Sequence, residues 1–221
     1  MDYLIHKLLT HDLNKRIKQV LLENNTQWED GKKTAGSFAL KVKSNYQLNK
    51  ESQAAIELGN IISQSIRDDQ LLKSFSLPRK IHSIMFTKTS SGEGYGDHID
   101  NAYMSSGRSD LSFTIFLSPK DSYKGGELCI QTIQDVKEIK LEAGEIIIYP
   151  STSLHSVKQV SYGERLACVG WIQSYVASNE DRSLLFSLDA GAKGLLAKHG
   201  RSSELDLVFQ AYSNLLRRLG D

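Results

Sequence analysis

The stretch Glu142-Ala143-Gly144-Glu145-Ile146-Ile147-Ile148-Tyr149-Pro150-Ser151-Thr152-Ser153-Leu154-His155 sets the fold. Gly144 marks a turn, an apolar β-branched run follows, and Pro150 with its hydroxyl neighbours closes the run before a new segment opens at His155. Such a short run, bounded by turn signals on both sides, reads as a buried strand. The same grammar recurs at Ile81–Thr87, Leu111–Leu117, Gly126–Gln131, Glu138–Leu141, His155–Gln159 and Arg165–Ser174. Ser90-Ser91-Gly92-Glu93-Gly94 and Lys124-Gly125-Gly126 separate them. Short strands at regular intervals, with few helical signals between, predict an antiparallel sandwich or barrel.

Helical patterns flank this core. Over about residues 10–75, Thr10 can cap a helix whose apolar positions are Leu13, Ile17, Val20 and Leu21. A second helix is expected from near Lys50 to Asp68, with Ala54, Ile56, Leu58, Ile61, Ile62 and Ile66 as its stripe. After the core, Leu205, Val208, Phe209, Tyr212, Leu215, Leu216 and Leu219 again fall at helical spacing. That stripe suits packing on the core and also offers a face for a homodimer. The expected class is α+β, with a catalytic-type domain over residues 1–176 (helices 10–75, strands 80–176) and a helical extension over 177–221.

Composition narrows the function classes. The 221 residues carry a net charge of +1, so no bulk field draws the chain to nucleic acid or to an anionic membrane. No apolar run approaches the roughly 20 residues that a bilayer span needs. The N-terminus lacks the basic and apolar regions of a secretory signal. Cys129 and Cys168 are the only cysteines, which suits two reduced thiols in a cytoplasmic protein.

Of the six histidines, His98 keeps the most suggestive company, in Gly94-Tyr95-Gly96-Asp97-His98-Ile99-Asp100. Residues two apart on a strand share a face, so His98 and Asp100 can converge on one ion while Ile99 turns into apolar packing. With His155 they would form a two-histidine, one-carboxylate facial set that leaves coordination positions open for a chelating 2-oxo acid and dioxygen. Zinc would accept the same donors. A His-x-Asp pair alone is usually a surface hydrogen bond. Arg165, ten residues after His155, makes the set more specific. A buried strand rarely carries an unpaired cation, and a guanidinium is shaped for bidentate recognition of a carboxylate.

These segments resemble the Fe(II)/2-oxoglutarate dioxygenase superfamily, and within it the bacterial PKHD-type hydroxylases. Tyr95–Asp100 resembles the first ligand segment, Arg108–Ser118 the strand after it, Tyr123-Lys124-Gly125-Gly126-Glu127-Leu128 a hairpin, and Ala143–His155 the second ligand segment. The likeness runs from Trp28-Glu29-Asp30-Gly31 through Trp171-Ile172-Gln173-Ser174 to Asp181-Arg182 and Leu184–Asp189. It implies a double-stranded β-helix (jelly-roll) core, Fe(II) on His98, Asp100 and His155, 2-oxoglutarate on Arg165, and L-ascorbate as reductant. Tyr95 or Thr114 would add a hydrogen bond to the cosubstrate, and Trp171 and Phe116 are candidates for the pocket wall. The implied reaction is hydroxylation of an unactivated C–H bond, in a peptidyl prolyl or lysyl residue or in a small metabolite. Gly31–Tyr46, with Lys32, Lys33, Lys41 and Lys43, reads as a substrate-facing loop or as a solvated basic face. Family members usually have tyrosine where this chain has Phe86, which would remove a hydroxyl from the cosubstrate. A non-catalytic jelly-roll sensor and a zinc hydrolase are the alternatives from other classes.

Overall fold

The computed structural model describes residues 3–23, 27–34 and 39–221. The chain opens with strand β1 (Leu4–Lys7) and helix α1 (His11–Glu23), then strands β2 (Trp28–Asp30), β3 (Lys43–Ser44) and β4 (Tyr46–Leu48). Helices α2 (Gln53–Asp68) and α3 (Gln70–Ser76) follow. Next come β5 (Pro78–Ser90), β6 (Gly94–His98), β7 (Tyr103–Met104), β8 (Gly107–Arg108), β9 (Leu111–Phe116) and β10 (Tyr123–Lys124). The core ends with β11 (Leu128–Gln131), β12 (Val136–Ile139), β13 (Glu145–Pro150), β14 (His155–Val157) and β15 (Tyr162–Ser174). Helices α4 (Asn179–His199) and α5 (Ser203–Leu219) complete the chain.

Two antiparallel sheets make the jelly roll. The larger runs β1-β13-β9-β15-β5-β4-β2, with β10 paired on β15, and the smaller runs β12-β11-β14-β6-β3. Phe116, Ile147 and Tyr149 of the large sheet pack with Leu128, Ile130 and Ile139 of the small one, which fixes the inner face. The outer face of the large sheet presents Phe113, Ile115, Ile146, Ile148, Leu166 and Cys168 to Ile17 and Leu21 of α1 and to Leu58, Ile62 and Ile66 of α2. Burial on both faces explains why Ile146-Ile147-Ile148 reads as an unbroken apolar run.

The helix caps follow the expected chemistry. Thr10 Oγ1 accepts from the Leu13 amide at 3.2 Å, and Ser52 Oγ accepts from the Ala55 amide at 3.1 Å. The second helix therefore starts at Gln53, and its Ile56, expected in the buried stripe, is exposed. The C-terminal helices dock through α4: Phe186 meets Phe75 of α3 edge-on at 5.5 Å, and Ser74 donates to Asp189 at 2.5 Å. On α5 only Leu205 is fully buried, so most of its stripe is partly open.

Two expectations are corrected here. The stretch expected as helical, about residues 10–75, contains the three strands β2, β3 and β4 as well as helices, and a fourth strand, β1, precedes it. These strands are two to four residues long and are recruited by distant partners, β1 by β13 and β4 by β5, so they leave no local periodicity. The expected consequence of Phe86 also falls away. Phe86 lies opposite Cys168 and joins the outer core against the helices, so no hydroxyl at that position would face the inner cavity. No helix among the described residues is long and apolar enough to cross a membrane.

Candidate metal centre

Strands β6 and β14 are antiparallel neighbours, and their register places His98 directly opposite His155. The two imidazole centroids are 4.2 Å apart. Asp100 lies just beyond β6, where the chain leaves the sheet and turns back. One donor atom from each of His98, Asp100 and His155 lies within 4.8 Å of the others. The convergence thus comes from a cross-strand pair plus a loop, rather than from two residues on one strand face. Ile99, expected in apolar packing, is 57% exposed.

Backbone carbonyls fix both rings. His98 Nδ1 donates to Gly96 O at 2.8 Å, and His155 Nδ1 donates to Ser153 O at 3.0 Å. Each bond leaves Nε2 as the free lone pair, the usual way a ligand histidine is oriented. Burial, followed by the neighbouring His155, lowers the His98 pKa to about 4, so the ring is neutral at physiological pH and ready to bind metal. On the acidic side, Ser112 Oγ donates to Asp100 Oδ2 at 2.6 Å, and the Ser112 and Ser151 hydroxyls are 2.8 Å apart. With the Ser112 proton committed to the carboxylate, Ser151 is the donor within that pair. Two imidazoles with free Nε2 atoms and one oriented carboxylate fit a divalent iron site. Ser112→Ala should weaken Fe(II) binding about tenfold or more without moving the histidines. Anaerobic titration with Fe(II) would read this, and an unchanged affinity would show that Ser112 does not orient the carboxylate.

The Tyr95 ring stacks on His98 with centroids 3.6 Å apart and planes 17° apart. Burial and then Asp100 push its phenol up to about 12. Lys43, paired with Tyr95 in the β3–β6 register, is buried with its ammonium 5.1 Å from the Tyr95 ring. Burial lowers its pKa to about 8, opposed by Asp100 and Asp30. Lys43 therefore differs from Lys32, Lys33 and Lys41 of the same segment, which are exposed. Residues 35–38 of that expected loop lie outside the described residues.

Arg165 occupies the inner face of β15 with Ala167, Val169 and Trp171, which lie opposite or beside Phe116, Thr114 and Ser112 of β9. It is 2% exposed, and its guanidinium sits 5.1 Å over the Phe116 ring. Arg165 Nε and the Tyr123 hydroxyl are both buried without a hydrogen-bond partner among the described residues. Burial pushes the guanidinium pKa down, and Tyr123 and Tyr149 only partly oppose it. A buried guanidinium with an unpartnered Nε has donor capacity left for a carboxylate. Gly126, at φ 69°, makes room for it: a Cβ there would come within 3.0 Å of Arg165 Cδ. Thr114 is buried on the inner face beside the Tyr149 hydroxyl. Trp171 stands next to Ser112, with its indole N–H buried and without a partner among the described residues.

Sequence reasoning missed Ser112, Ser151, Tyr149 and the buried position of Lys43. Ser112 and Thr114, alternating within Leu111-Ser112-Phe113-Thr114-Ile115-Phe116, were a usable signal for a polar-lined inner face.

A jelly roll with a two-histidine, one-carboxylate centre and an inward arginine defines the 2-oxoglutarate and Fe(II) class of oxygenases. Residues 84–173 match the 2OG-Fe(II) oxygenase superfamily accordingly. The chain is 66% identical over 221 residues to a PKHD-type hydroxylase of Prochlorococcus marinus strain MIT 9211, covering 100% of both chains. It is 62% identical to that of strain NATL1A, again with 100% coverage of both. The chain belongs to the PKHD-type hydroxylases and is a 2-oxoglutarate-dependent dioxygenase that uses Fe(II). Among solved structures, a Pseudomonas putida prolyl-4-hydroxylase shares the fold with TM-score 0.58 at 15% identity, over 78% of this chain and 92% of that one. A Trichoplax adhaerens prolyl hydroxylase, in complex with a hypoxia inducible factor peptide fragment, has TM-score 0.60 at 18% identity, over 83% and 86%.

Proposed function

We propose that His98, Asp100 and His155 hold the iron, that Arg165 holds the distal carboxylate of 2-oxoglutarate, and that the enzyme hydroxylates a prolyl or lysyl residue of a peptide. The observation that carries the site is the meeting of three oriented donors within 4.8 Å on the inner face that also buries the unsatisfied Arg165. When bound, the iron with 2-oxoglutarate and dioxygen supplies the oxidant for an unactivated C–H bond, and succinate and CO2 leave.

The residues of the chain bind and orient. Gly96 O and Ser153 O keep the histidines in the metal-binding tautomer, and Ser112 keeps the carboxylate aimed. Phe116 and Tyr149 wall the cavity and exclude water around the clamp. Tyr95 and Thr114 are the proposed further contacts to the cosubstrate. The peptide reading is supported by the fold shared with a prolyl hydroxylase captured with a peptide. L-ascorbate is the reductant proposed to keep the iron ferrous. Residues 1–176 are taken as the catalytic unit and 177–221 as its helical extension, with the open stripe of α5 as the face for a homodimer. Cys129 and Cys168 form no disulfide, which suits a cytoplasmic setting, and the net charge of +1 gives no bulk attraction to nucleic acid or an anionic membrane.

Anaerobic reconstitution with Fe(II) and 2-oxoglutarate should give the weak visible charge-transfer band of a chelate. Oxygen with prolyl and lysyl peptides should then give succinate and a product heavier by one oxygen. Absence of the band would remove the site assignment. A band with neither peptide oxidised would move the substrate to another class.

A further inference from the structure

We propose that Lys43, held against the face of Tyr95, is a positioning residue whose charge favours ferrous over ferric iron at the metal centre. The inference rests on the ligand reading of His98, Asp100 and His155 above. Two rows of opposed residues cross the small sheet. In one, His98 faces His155; in the other, Tyr95 faces Val157 of β14 on one side and Lys43 of β3 on the other. Opposed residues share a face, and Val157 packs on the cluster between the sheets, so Tyr95 and Lys43 are directed inward. The Tyr95 ring stacks 3.6 Å from the His98 ring, and the Lys43 ammonium stands 5.1 Å from the Tyr95 centroid, within cation–π range. Ammonium, phenol and imidazole thus form a chain that ends on a proposed metal ligand. His155 is backed differently, by the neutral Tyr149 ring edge-on at 5.2 Å.

Burial is what gives this charge its reach. Lys43 is 5% exposed, whereas Lys41, two residues earlier, is exposed. Salt screens solvated charges over about 10 Å and buried ones much less. The two ring distances place the Lys43 ammonium within that length of the His98 ring. Its pKa of about 8 leaves it mostly protonated at neutral pH. Its charge is also one of the influences that hold His98 neutral. Fe(III) carries one more positive charge than Fe(II), so a fixed cation nearby costs the ferric state more. An oxygenase that works from ferrous iron gains from such a charge, because less of its resting metal needs an external reductant. The fixed groups around a metal site set its potential in this way.

The test uses full-length protein loaded anaerobically with Fe(II), without 2-oxoglutarate, and poised with redox mediators. The ferric fraction is read from its electron paramagnetic resonance signal. Lys43→Met should move the ferrous-to-ferric ratio at a fixed potential about tenfold toward ferric iron, a fall in midpoint of about 59 mV for one electron. Lys43→Gln should do the same. Lys43→Arg should stay near the wild type because it keeps the charge, and Lys41→Met should leave the midpoint unmoved. An unmoved midpoint in the neutral Lys43 variants would overturn the proposal. So would a fall in Lys43→Arg as large as in Lys43→Met, which would make shape the cause, or an equal fall in Lys41→Met, which would make it bulk charge. A melting curve accompanies each variant. Replacing a buried charge by apolar volume is commonly neutral, and loss of the fold in both neutral variants would assign Lys43 to the structure instead. Wild-type protein that takes up no Fe(II) would sink the ligand reading itself, whereas normal uptake with a midpoint indifferent to Lys43 would sink only this inference.

Discussion

His98→Ala should yield a folded protein that retains no Fe(II) after anaerobic reconstitution and releases no measurable succinate. The substitution removes one of three protein donors, and no other His, Cys, Asp or Glu among the described residues joins the cluster to replace it. The ring is partly exposed at the end of β6, so its loss leaves the sheet ladder intact. Metal content by mass spectrometry and succinate release are the two measurements. Normal turnover would remove His98 from the ligand set. The variant also has a pH signature. The folded pKa of His98 is about 4, below the ordinary value of 6.5, so the folded metal-free chain binds fewer protons than the unfolded chain between those limits. Stability of the metal-free wild type should therefore fall as pH drops from about 6.5 toward 4. His98→Ala should be less acid-sensitive across that window in equilibrium unfolding.

Arg165→Ala should raise the 2-oxoglutarate requirement by about ten- to a hundredfold, the worth of a charged hydrogen bond of roughly 1.5–3 kcal/mol. Iron binding should persist, because Arg165 is not a donor to the metal. Arg165→Met separates a clamp from a structural arginine. It refills most of the volume and removes a buried charge that lacks a full set of partners. Metal-free Arg165→Met should then be at least as stable as the wild type, since replacing a poorly compensated buried charge by apolar volume is commonly neutral or favourable. An arginine that held the fold together would instead cost several kcal/mol on removal. A destabilised Arg165→Met with an unchanged 2-oxoglutarate requirement would reverse the assignment. Lysine at this position should rescue only partly, because a point charge cannot reproduce the two-pronged contact.

Much of the site was legible because its chemistry lies in residue types and spacing. His98, Asp100, His155 and Arg165 stand out as polar groups on or beside apolar strands, and the structure brings the first three together. The middle strands were legible for the same local reason, since β-branched runs between glycines specify themselves. Phase was the harder quantity. In Ile146-Ile147-Ile148-Tyr149 both sheet faces are buried, so alternation disappears and nothing local says that Tyr149 turns toward the metal centre. Phe86 posed the same difficulty, and only its register against Cys168 shows that it faces the helices. β3 was illegible for another reason. Its two residues form a strand only because β6 is there to pair with, so Lys43 looked like one more surface lysine.

The direct opposition of His98 and His155 has a mechanical consequence. An ion held by both rings, as proposed, would rivet two adjacent strands of the small sheet, whose own ladder at that point is short and irregular. The large sheet has no such dependence, being sandwiched between helices and inner core. Loss of iron should therefore soften one wall of the barrel and leave the other rigid. Amide exchange would then quicken along β6 and β14 well before the molecule melts as a whole.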